Sequence, residues 1–255
     1  TLRRSYLRAE KQATEMETQR VQLRANLLRA ISHDLRTPLT ANSGNAGMLM
    51  EKSVSLNENK KQEMYRSIYD DSMWLVNLTE NLLSLTRIEN GTLPLRRDAE
   101  MIGDIFHEAL SHVDRRAAEH EIRVELEDDM LMANMDARLI VQVIINIVNN
   151  AVKYTPEGSD ICLSAKKENS MVRIEIADNG PGISDEAKQR LFDMFYTVNT
   201  GSAGADSRRG LGLGLSLCKS IVEAHGGSIT VHDNQPHGSV FSFTLPLEEV
   251  KIQNV

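Results

Sequence analysis

The sequence of 255 residues is poor in cysteine, in long apolar runs and in positive charge. Its two cysteines, Cys162 and Cys218, lack the spacing of a metal or redox site, which fits a reducing compartment. No apolar run approaches the length that spans a membrane. The net charge of −7 argues against a nucleic-acid-binding role. Residues 92–255 hold 16 Lys and Arg against 25 Asp and Glu, so an anion site there needs local donors.

The start of the chain shows no export signal, and its first residue is Thr1 rather than methionine. The first residues already belong to a repeating apolar pattern. We therefore expect a piece of a longer protein, whose membrane or sensory parts lie elsewhere in that protein.

Residues 1–30 carry this pattern as a heptad repeat. Apolar residues recur at alternating spacings of four and three, at Leu2, Tyr6, Ala9, Ala13, Met16, Leu23, Leu27 and Ala30, with Arg20 as the polar exception. The repeat predicts a coiled coil, and no proline or glycine interrupts residues 1–37. A single amphipathic helix on a globular body is the alternative.

Residues 31–40, ISHDLRTPLT, place a titratable pair, His33 and Asp34, inside a helical pattern. At about 100° per residue, His33 and Thr37 lie one turn apart on the face opposite the apolar stripe. The stripe itself consists of Ile31, Leu35, Leu39, Ala46 and Leu49. His33 is therefore expected to face solvent, where a reactant from another domain can reach it.

Two residues of this helix depart from a regular pattern. Pro38 lacks the N–H that would bond to the carbonyl of Asp34, so we expect the helix to bend or loosen there. Asn42 lies in the middle of the apolar stripe, where a polar residue costs stability but can fix the register of packed helices.

A second helix is predicted from about Asn57 to Asn90, after a polar loop at 51–57 and before a glycine cap at Gly91. Its stripe is formed by Met64, Ile68, Ser72, Leu75, Leu78, Leu82, Leu85 and Ile88. One helical hairpin cannot bury two such stripes alone, so two hairpins are expected to pair as a four-helix bundle.

The residues from Thr92 onward predict an α+β domain in which helices cover one face of a mixed sheet. Helices are expected at 101–120, 137–153 and 213–225, and strands at 121–127, 160–168, 171–178, 228–233 and 239–245. Nine of the fifteen glycines lie between Gly180 and Gly227, which indicates a ligand loop.

Residues 146–154, NIVNNAVKY, close the helix predicted at 137–153. Asn146 and Asn150 share one face, and Lys153 follows within a turn. Amide oxygens suit Mg²⁺ and an ammonium suits phosphate, so this face is a candidate metal and phosphate site. A polar helix edge that faces solvent is the alternative, which an otherwise apolar helix disfavours.

Two glycine-rich stretches follow. DNGPGI at 178–183 offers the carboxylate of Asp178 beside two glycines, although a strand-to-helix turn explains this stretch equally well by itself. GLGLGL at 210–215 runs into a helix, whose free N–H groups can hold an anion. This second stretch has neither the spacing of a dinucleotide loop nor that of a Walker loop.

The segment at 200–210, TGSAGADSRRG, is polar and rich in small residues. It predicts a mobile lid whose Arg208 and Arg209 reach phosphate. FDMFY at 192–196 comes just before it and is expected to anchor one end of the lid, with plain core packing as an equal alternative.

Each motif is weak to moderate by itself, but their order is specific. With SHDLRTPLT, NIVNNAVKYTP, DNGPGI, FDMFY and GLGLGL in this order, residues 20–247 resemble the cytoplasmic catalytic core of a bacterial sensor histidine kinase of a two-component system. The stretches are similar to the H, N, first G, F and second G boxes of that family, and some resemble its potassium-sensing branch. Asn42 departs from the family pattern, which has an apolar residue there.

The resemblance implies a signalling coiled coil at 1–20, a dimeric helical phosphoacceptor domain at 21–91, an ATP-binding domain at 92–250 and a tail at 251–255. The ATP-binding domain is then a Bergerat-type α/β sandwich, shared with gyrase and the heat-shock-90 chaperones. The resemblance further implies ATP and Mg²⁺ as cofactors, a homodimer, and autophosphorylation followed by transfer to an aspartate of a response regulator. It also implies phosphatase activity, and a full-length protein anchored to the cell membrane with this portion in the cytoplasm.

The resemblance assigns roles by motif position. His33 is the expected phosphorylated residue, Asp34 its acid/base neighbour, and Thr37 the residue that orients water in the phosphatase reaction. Mg²⁺ is assigned to Asn146 and Asn150. The nucleotide is assigned to Asn146, Asn150, Lys153, Tyr154, Asp178, Gly180, Gly182, Arg208, Arg209, Gly210, Gly212, Gly214 and Leu215. Within this set, Asp178 is expected to accept a hydrogen bond from the adenine amine.

Two other function classes compete with an active kinase. One is a dimeric scaffold that binds nucleotide but has lost phosphoryl transfer, which the presence of every expected catalytic residue disfavours. The other is an ATPase or chaperone-like machine, against which the hairpin bearing HDLRT argues. Kinase chemistry also fits the residues themselves, because Asp34 can hold the proton on the His33 ring nitrogen that does not attack phosphorus.

Overall fold

The structure, a computed structural model, describes residues 35–51, 57–89, 95–197 and 212–248. Contacts along the chain divide it into two compact units, Thr1–Glu80 and Asn81–Val255. The predicted coiled coil, His33 and Asp34, the cap at Gly91, most of the loop at 51–57, the lid arginines and the tail lie outside the described residues. No helix within them is both long and apolar enough to cross a membrane.

The first unit contains α1 at 35–50 and most of α2, which spans Glu58–Glu89. Asn57 begins α2, because its Oδ1 accepts the backbone N–H of Lys60 at 2.8 Å. The prediction of a second helix after a short loop is thus confirmed within one residue at each end. α1 is helical on both sides of Pro38, which is buried, so the proline does not end the helix.

The second unit carries two sheets and several helices. Its elements are β1 at Asp98–Met101, α3 at Ile102–Ser111, a 3₁₀ turn at Arg115–Glu119, β2 at Glu121–Leu126, β3 at Met132–Met135, α4 at Ala137–Tyr154, β4 at Asp160–Glu168, β5 at Met171–Asp178, α5 at Asp185–Arg190, α6 at Gly214–Ala224, β6 at Ile229–Asp233 and β7 at Ser239–Pro246. The larger sheet has the order β2-β4-β5-β7-β6, and only its β2–β4 pair is parallel. The predicted α+β class with a mixed sheet is confirmed.

One predicted helix was too long, and the short elements β1, β3 and α5 were missed. The helix expected at 101–120 ends at Ser111, because the side chain of Asp114 accepts the N–H of Arg116 and starts a separate 3₁₀ turn. β1 and β3 pair with each other in an antiparallel ribbon of four residues each, and Ala133 of β3 also bridges Leu247, directly after β7. Strands of four residues are too short to show a clear alternation of apolar and polar residues, and they are stabilised by pairing with a neighbouring strand. The sequence pattern therefore does not identify them.

The inner face of the larger sheet forms much of the core. β5 alternates strictly, with Val172, Ile174 and Ile176 buried on one face. Burying one such side chain contributes about 1.5–3 kcal/mol. Asp178 is the next residue of the same row, and the register places it opposite Ser239 of β7. A carboxylate therefore stands at the end of an inward apolar row.

α4 and α6 are packed through fully buried side chains. α4 buries Ile140, Val143, Ile144, Ile147, Val148, Ala151 and Val152. On α6, Cys218 Sγ donates to the carbonyl of Val143 at 3.8 Å. Burial raises the pKa of the Cys218 thiol to about 12, so it stays protonated and acts as a packing group. This contact fixes the second turn of α6 against α4.

Candidate functional site

Asp178 is a buried acceptor that is only partly used by the protein. Its Oδ1 accepts the backbone N–H groups of Gly180 at 2.9 Å and Ser239 at 3.2 Å. No residue in the described part of the chain donates to Oδ2. Burial raises the pKa of Asp178 above its ordinary value, and the two N–H donors oppose that shift. The carboxylate is thus held rigidly while one oxygen is left for a polar donor on a ligand.

The loop after β5 is pressed against two neighbours. A Cβ on Gly180 would lie 2.6 Å from Cγ2 of Thr155, which directly follows α4. On the other side, Asn234 Nδ2 donates to the carbonyl of Asp178 at 2.8 Å. The loop therefore connects the end of α4 to the turn between β6 and β7, and holds Asp178 between them.

The edge of α4 carries the predicted metal and phosphate residues. Asn146, Asn150 and Lys153 are all partly exposed along it. Among the described residues, the buried Asn146 Nδ2 has only the Cys218 thiol, a weak acceptor, beside it, and its Oδ1 lies 3.9 Å from the position of a Cβ on Gly214. Asn149 has a different use, since its Oδ1 accepts the N–H of Asp114 at 2.9 Å.

The first turn of α6 therefore meets α4 at Asn146. Gly214 is the first residue of α6, and no side chain caps the N–H groups of that turn. Leu215, the next residue, is partly exposed there. The carboxamide of Asn146 beside uncapped helical N–H groups and a glycine forms an anion-binding corner that leaves room for phosphate.

The side chains available at this edge of α4 determine how a metal ion would bind there. Within the residues that the structure describes, no group of three or more His, Cys, Asp or Glu side chains is placed to bind one. Mg²⁺ commonly takes one or two protein oxygens together with water and the phosphates of its nucleotide. Asn146 and Asn150 fit that mode, so a metal would bind here together with a phosphate ligand.

A surface pocket of about 620 Å³ opens at the other end of α4. It is lined by residues 153–159 together with Asn179, Gly180, Pro181 and His237. Of the predicted nucleotide residues, only Lys153, Tyr154 and Gly180 line it. Lys153 Nζ lies 4.8 Å from the centre of the Tyr154 ring. The pocket is also lined by residues that the sequence motifs did not predict for the site.

Thr155 and His237 are two such residues. Thr155 follows Tyr154 directly, and its Oγ1 lies 3.0 Å from His120 Nε2. It lies within the stretch NIVNNAVKYTP, and that position was a usable signal. His237 lies about 80 residues later, in a turn between two strands, and no local pattern marked it.

The two halves of the site lie along one helix. Thr155 contacts the loop of Asp178, and Asn146 contacts the start of α6. Nine residues separate Asn146 from Thr155, which corresponds to about 13 Å along a helix axis. The arrangement offers a carboxylate acceptor at one end and anion-binding groups at the other, as an extended nucleotide requires.

The two phenylalanines of the motif FDMFY make different contacts. Phe192 packs edge-on against Phe241 of β7, with ring centres 6.5 Å apart at 84°. The N–H of Phe195 donates to the carbonyl of Gly212 at 3.1 Å, which joins the two ends of the segment that was predicted to be a lid. Gly212 has φ of +64°, and a Cβ there would lie 2.5 Å from the carbonyl oxygen of Tyr196. Arg208, Arg209 and Gly210 lie outside the described residues.

Two sequence families match the chain. Residues 23–91 match the His Kinase A (phospho-acceptor) domain. Residues 135–249 match the family described as histidine kinase-, DNA gyrase B-, and HSP90-like ATPase. The chain belongs to the sensor histidine kinases of two-component systems.

Curated relatives agree with this placement. The sensor protein KdpD of Clostridium acetobutylicum is 42% identical over 247 residues, which make up 97% of this chain and 27% of that protein. KdpD of Escherichia coli strain K12 is 32% identical, over 96% of this chain and 27% of its own length. The chain thus spans about a quarter of the length of these relatives.

Solved structures of histidine kinases share the fold. The kinase AdeS of Acinetobacter baumannii matches with a TM-score of 0.65 and 25% identity, covering 85% of this chain and 98% of that one. The kinase ThkA, solved in complex with the response regulator protein TrrA, matches with a TM-score of 0.66 and 25% identity, covering 90% of this chain and 64% of that one.

In this histidine kinase, the phosphoacceptor helix is described from Leu35 onward. Thr37 is exposed on α1, in agreement with the predicted face, and His33 and Asp34 precede the described residues. Leu39, expected in the apolar stripe, is exposed in the single chain. The stripe of α1 is therefore not fully covered by α2 alone.

Proposed function

We propose that this chain is a kinase core that phosphorylates its own His33 from Mg²⁺·ATP and passes the phosphoryl group to an aspartate of a response regulator. The observation that carries the nucleotide part is the half-used carboxylate of Asp178, buried beside the end of α4. Its free oxygen suits the adenine amine, while Asn146, Asn150 and the start of α6 suit the phosphates.

The remaining predicted residues complete the nucleotide site. Lys153 and Tyr154 flank the ribose and phosphates, and Gly180 and Gly182 let the backbone approach the base. Gly212, Gly214 and Leu215 border the phosphates, and Gly210, Arg208 and Arg209 approach them from the predicted lid. Bound Mg²⁺, held by Asn146 and Asn150, would offset charge on the phosphates.

The transfer itself is a displacement at the terminal phosphorus. One ring nitrogen of His33 forms the N–P bond, and the P–O bond to ADP breaks with its electron pair going to ADP. Asp34 holds the proton on the other ring nitrogen and stabilises the positive charge that develops on the ring. The resulting phosphohistidine then donates its phosphoryl group to the carboxylate of an aspartate on the regulator.

The partners are proposed on the same basis. The match to the phospho-acceptor family and the uncovered stripe of α1 support a homodimer built on a four-helix bundle. The complex of ThkA with a response regulator supports such a partner for this chain. The two KdpD relatives support the potassium-sensing branch and a full-length protein anchored in a membrane, with this part in the cytoplasm.

Incubation with γ-labelled ATP and Mg²⁺ tests the proposal. We expect a label that is lost in acid and retained in base, as a phosphoramidate requires. The His33→Gln variant should remain unlabelled, whereas His112→Gln, which changes an exposed histidine of the second unit, should label normally. An unlabelled wild-type chain, or full labelling of the His33→Gln variant, contradicts the proposal.

A further inference from the structure

The helical hairpin contains a polar pair within its apolar seam. Asn42 of α1 lies in the predicted stripe of that helix, and Ser72 occupies a stripe position on α2. Asn42 Nδ2 donates to Ser72 Oγ at 3.3 Å. Ser72 Oγ donates in turn to the carbonyl of Ile68 at 2.7 Å, one turn earlier on its own helix. The two helices are thus joined by a hydrogen bond at one defined register.

The amide of Asn42 is only half satisfied. Its Oδ1 is buried and has no hydrogen-bond partner among the residues that the structure describes. An unpaired buried amide oxygen costs free energy that an apolar side chain at the same position would not. Polar residues in helical seams characteristically offset such a cost by fixing register and the choice of partner.

The pair borders a face that a single chain leaves uncovered. Ser72 is exposed, and Val76, one turn later on α2, is 47% exposed. Leu39, one turn before Asn42 on α1, is 55% exposed. Leu39 also lines a surface groove of about 650 Å³ that follows α1. Apolar side chains clustered in this way need a cover, and a second copy of the same hairpin supplies one.

We propose that the Asn42–Ser72 pair is a self-selection element, an inference that rests on the homodimer proposed above. It makes the hairpin pair with a second copy of this chain rather than with a related hairpin that has an apolar residue at this position. In a two-fold interface each copy presents the same patch, so a matched partner brings a polar pair to meet a polar pair. An apolar partner leaves the amide against hydrocarbon, and this penalty provides the selectivity.

Subunit exchange between two differently tagged forms of the full 255-residue chain tests this proposal. Wild type mixed with tagged wild type should give random assortment, with half of the dimers mixed. Wild type mixed with tagged Asn42→Ile should give clearly fewer mixed dimers. Tagged Asn59→Ile, which makes the same change at an exposed position at the start of α2, away from the pair and the groove, should again give half.

Thermal unfolding provides a second measurement. We expect Asn42→Ile to raise the unfolding midpoint, because the unpaired oxygen is removed. Ser72→Ala should lower the midpoint more in the wild-type background than in the Asn42→Ile background, where only the bond from Ser72 to the carbonyl of Ile68 is lost. Asn42→Ala serves the same exchange test if the isoleucine variant packs poorly.

The outcomes are distinguishable. If all chains are dimeric and half of the dimers formed from wild type and Asn42→Ile are mixed, the self-selection proposal is overturned. The homodimer proposal is unaffected by that result. An equal effect of Ser72→Ala in both backgrounds also overturns it. A wild-type chain that is monomeric throughout overturns the homodimer on which the inference rests.

Discussion

Gly238 approaches Asp178 so closely that no side chain fits between them. A Cβ on Gly238 would lie 1.9 Å from the carbonyl oxygen of Asp178, and Gly238 has φ of +116°. The turn between β6 and β7 is therefore part of the support that holds the carboxylate in place. This contact joins the adenine end of the proposed nucleotide site to a turn that carries no recognisable motif.

Replacing Gly238 by alanine should displace the loop of Asp178. We expect a loss of about 3 kcal/mol of unfolding free energy and weaker binding of a non-hydrolysable ATP analogue, because backbone must move away from backbone. Gly226→Ala is the matched control: Gly226 also has positive φ, +83°, but nothing lies within 4 Å of its added Cβ. The control should cost about 1 kcal/mol and leave binding unchanged. Equal effects of both variants would argue against a supporting role for Gly238.

Asp178→Asn should separate stability from nucleotide binding. The folded protein raises the pKa of Asp178, so it binds more protons than the unfolded chain between the ordinary carboxyl pKa and the raised one. Stability therefore falls as pH rises through that window, and ionised Asp178 is a cost at neutral pH. An asparagine keeps an oxygen for the N–H groups of Gly180 and Ser239 without the charge, but offers the adenine amine a donor instead of an acceptor.

For this variant we expect an unchanged or higher unfolding midpoint at pH 7 and at least a tenfold loss of affinity for ATP, about 1.4 kcal/mol. Calorimetric titration with an ATP analogue and thermal unfolding measure the two effects. Asp129→Asn, at an exposed position, should change neither. A clear drop in stability together with intact binding would be the reverse of the expected result.

His225 should make the second unit sensitive to mild acid. The ring is fully buried, Nδ1 lies 2.7 Å from the carbonyl of Ile221, and Nε2 accepts the N–H of Asp136 at 3.0 Å. Nδ1 therefore carries the only ring proton. Burial lowers the pKa of His225, with the carbonyl of Ile221 and the charge of Asp136 opposing it and Arg97 adding to it.

Because the unfolded chain takes up this proton first, stability is complete above the ordinary histidine pKa of about 6.5 and declines as pH falls through it. The slope from this one group reaches at most about 1.4 kcal/mol per pH unit. Urea unfolding from pH 8 to pH 5 should show the decline in wild type and in His112→Gln. The decline in unfolding free energy should be smaller in His225→Gln. An equally steep decline in all three proteins would show that His225 is not its source.

Thr37→Ala should alter the phosphatase reaction more than the kinase reaction. Thr37 is exposed on α1, where its hydroxyl can orient water toward a phosphorylated aspartate on the regulator. We expect His33 labelling within about twofold of wild type and dephosphorylation of the regulator slower by about tenfold or more. Thr40→Ala, at another exposed threonine of α1, is the control. Equal loss of both activities in the Thr37 variant would point to a general defect of the helix.

Local periodicity was enough to place much of this fold. The apolar run at 171–178 predicted β5 at its observed bounds, whereas the inward position of Asp178 is a finding of the structure. The spacing of Asn146, Asn150 and Lys153 likewise placed them on one helix edge, and the structure leaves that edge partly exposed. The break after Ser111 was missed because it depends on one side chain, that of Asp114, rather than on a repeating pattern.

What the sequence by itself determined is therefore most of the longer elements, the family and the motif positions, since each depends on residues a few positions apart. Only the tertiary structure decided which groups meet: Ser239 with Asp178 across 61 residues, His225 with Asp136 across 89, and Ser72 with Asn42 across 30. Contacts of that separation leave no periodic trace in the chain. They form where packed helices and paired strands bring distant backbone within hydrogen-bonding distance, and the energy of burial selects that arrangement.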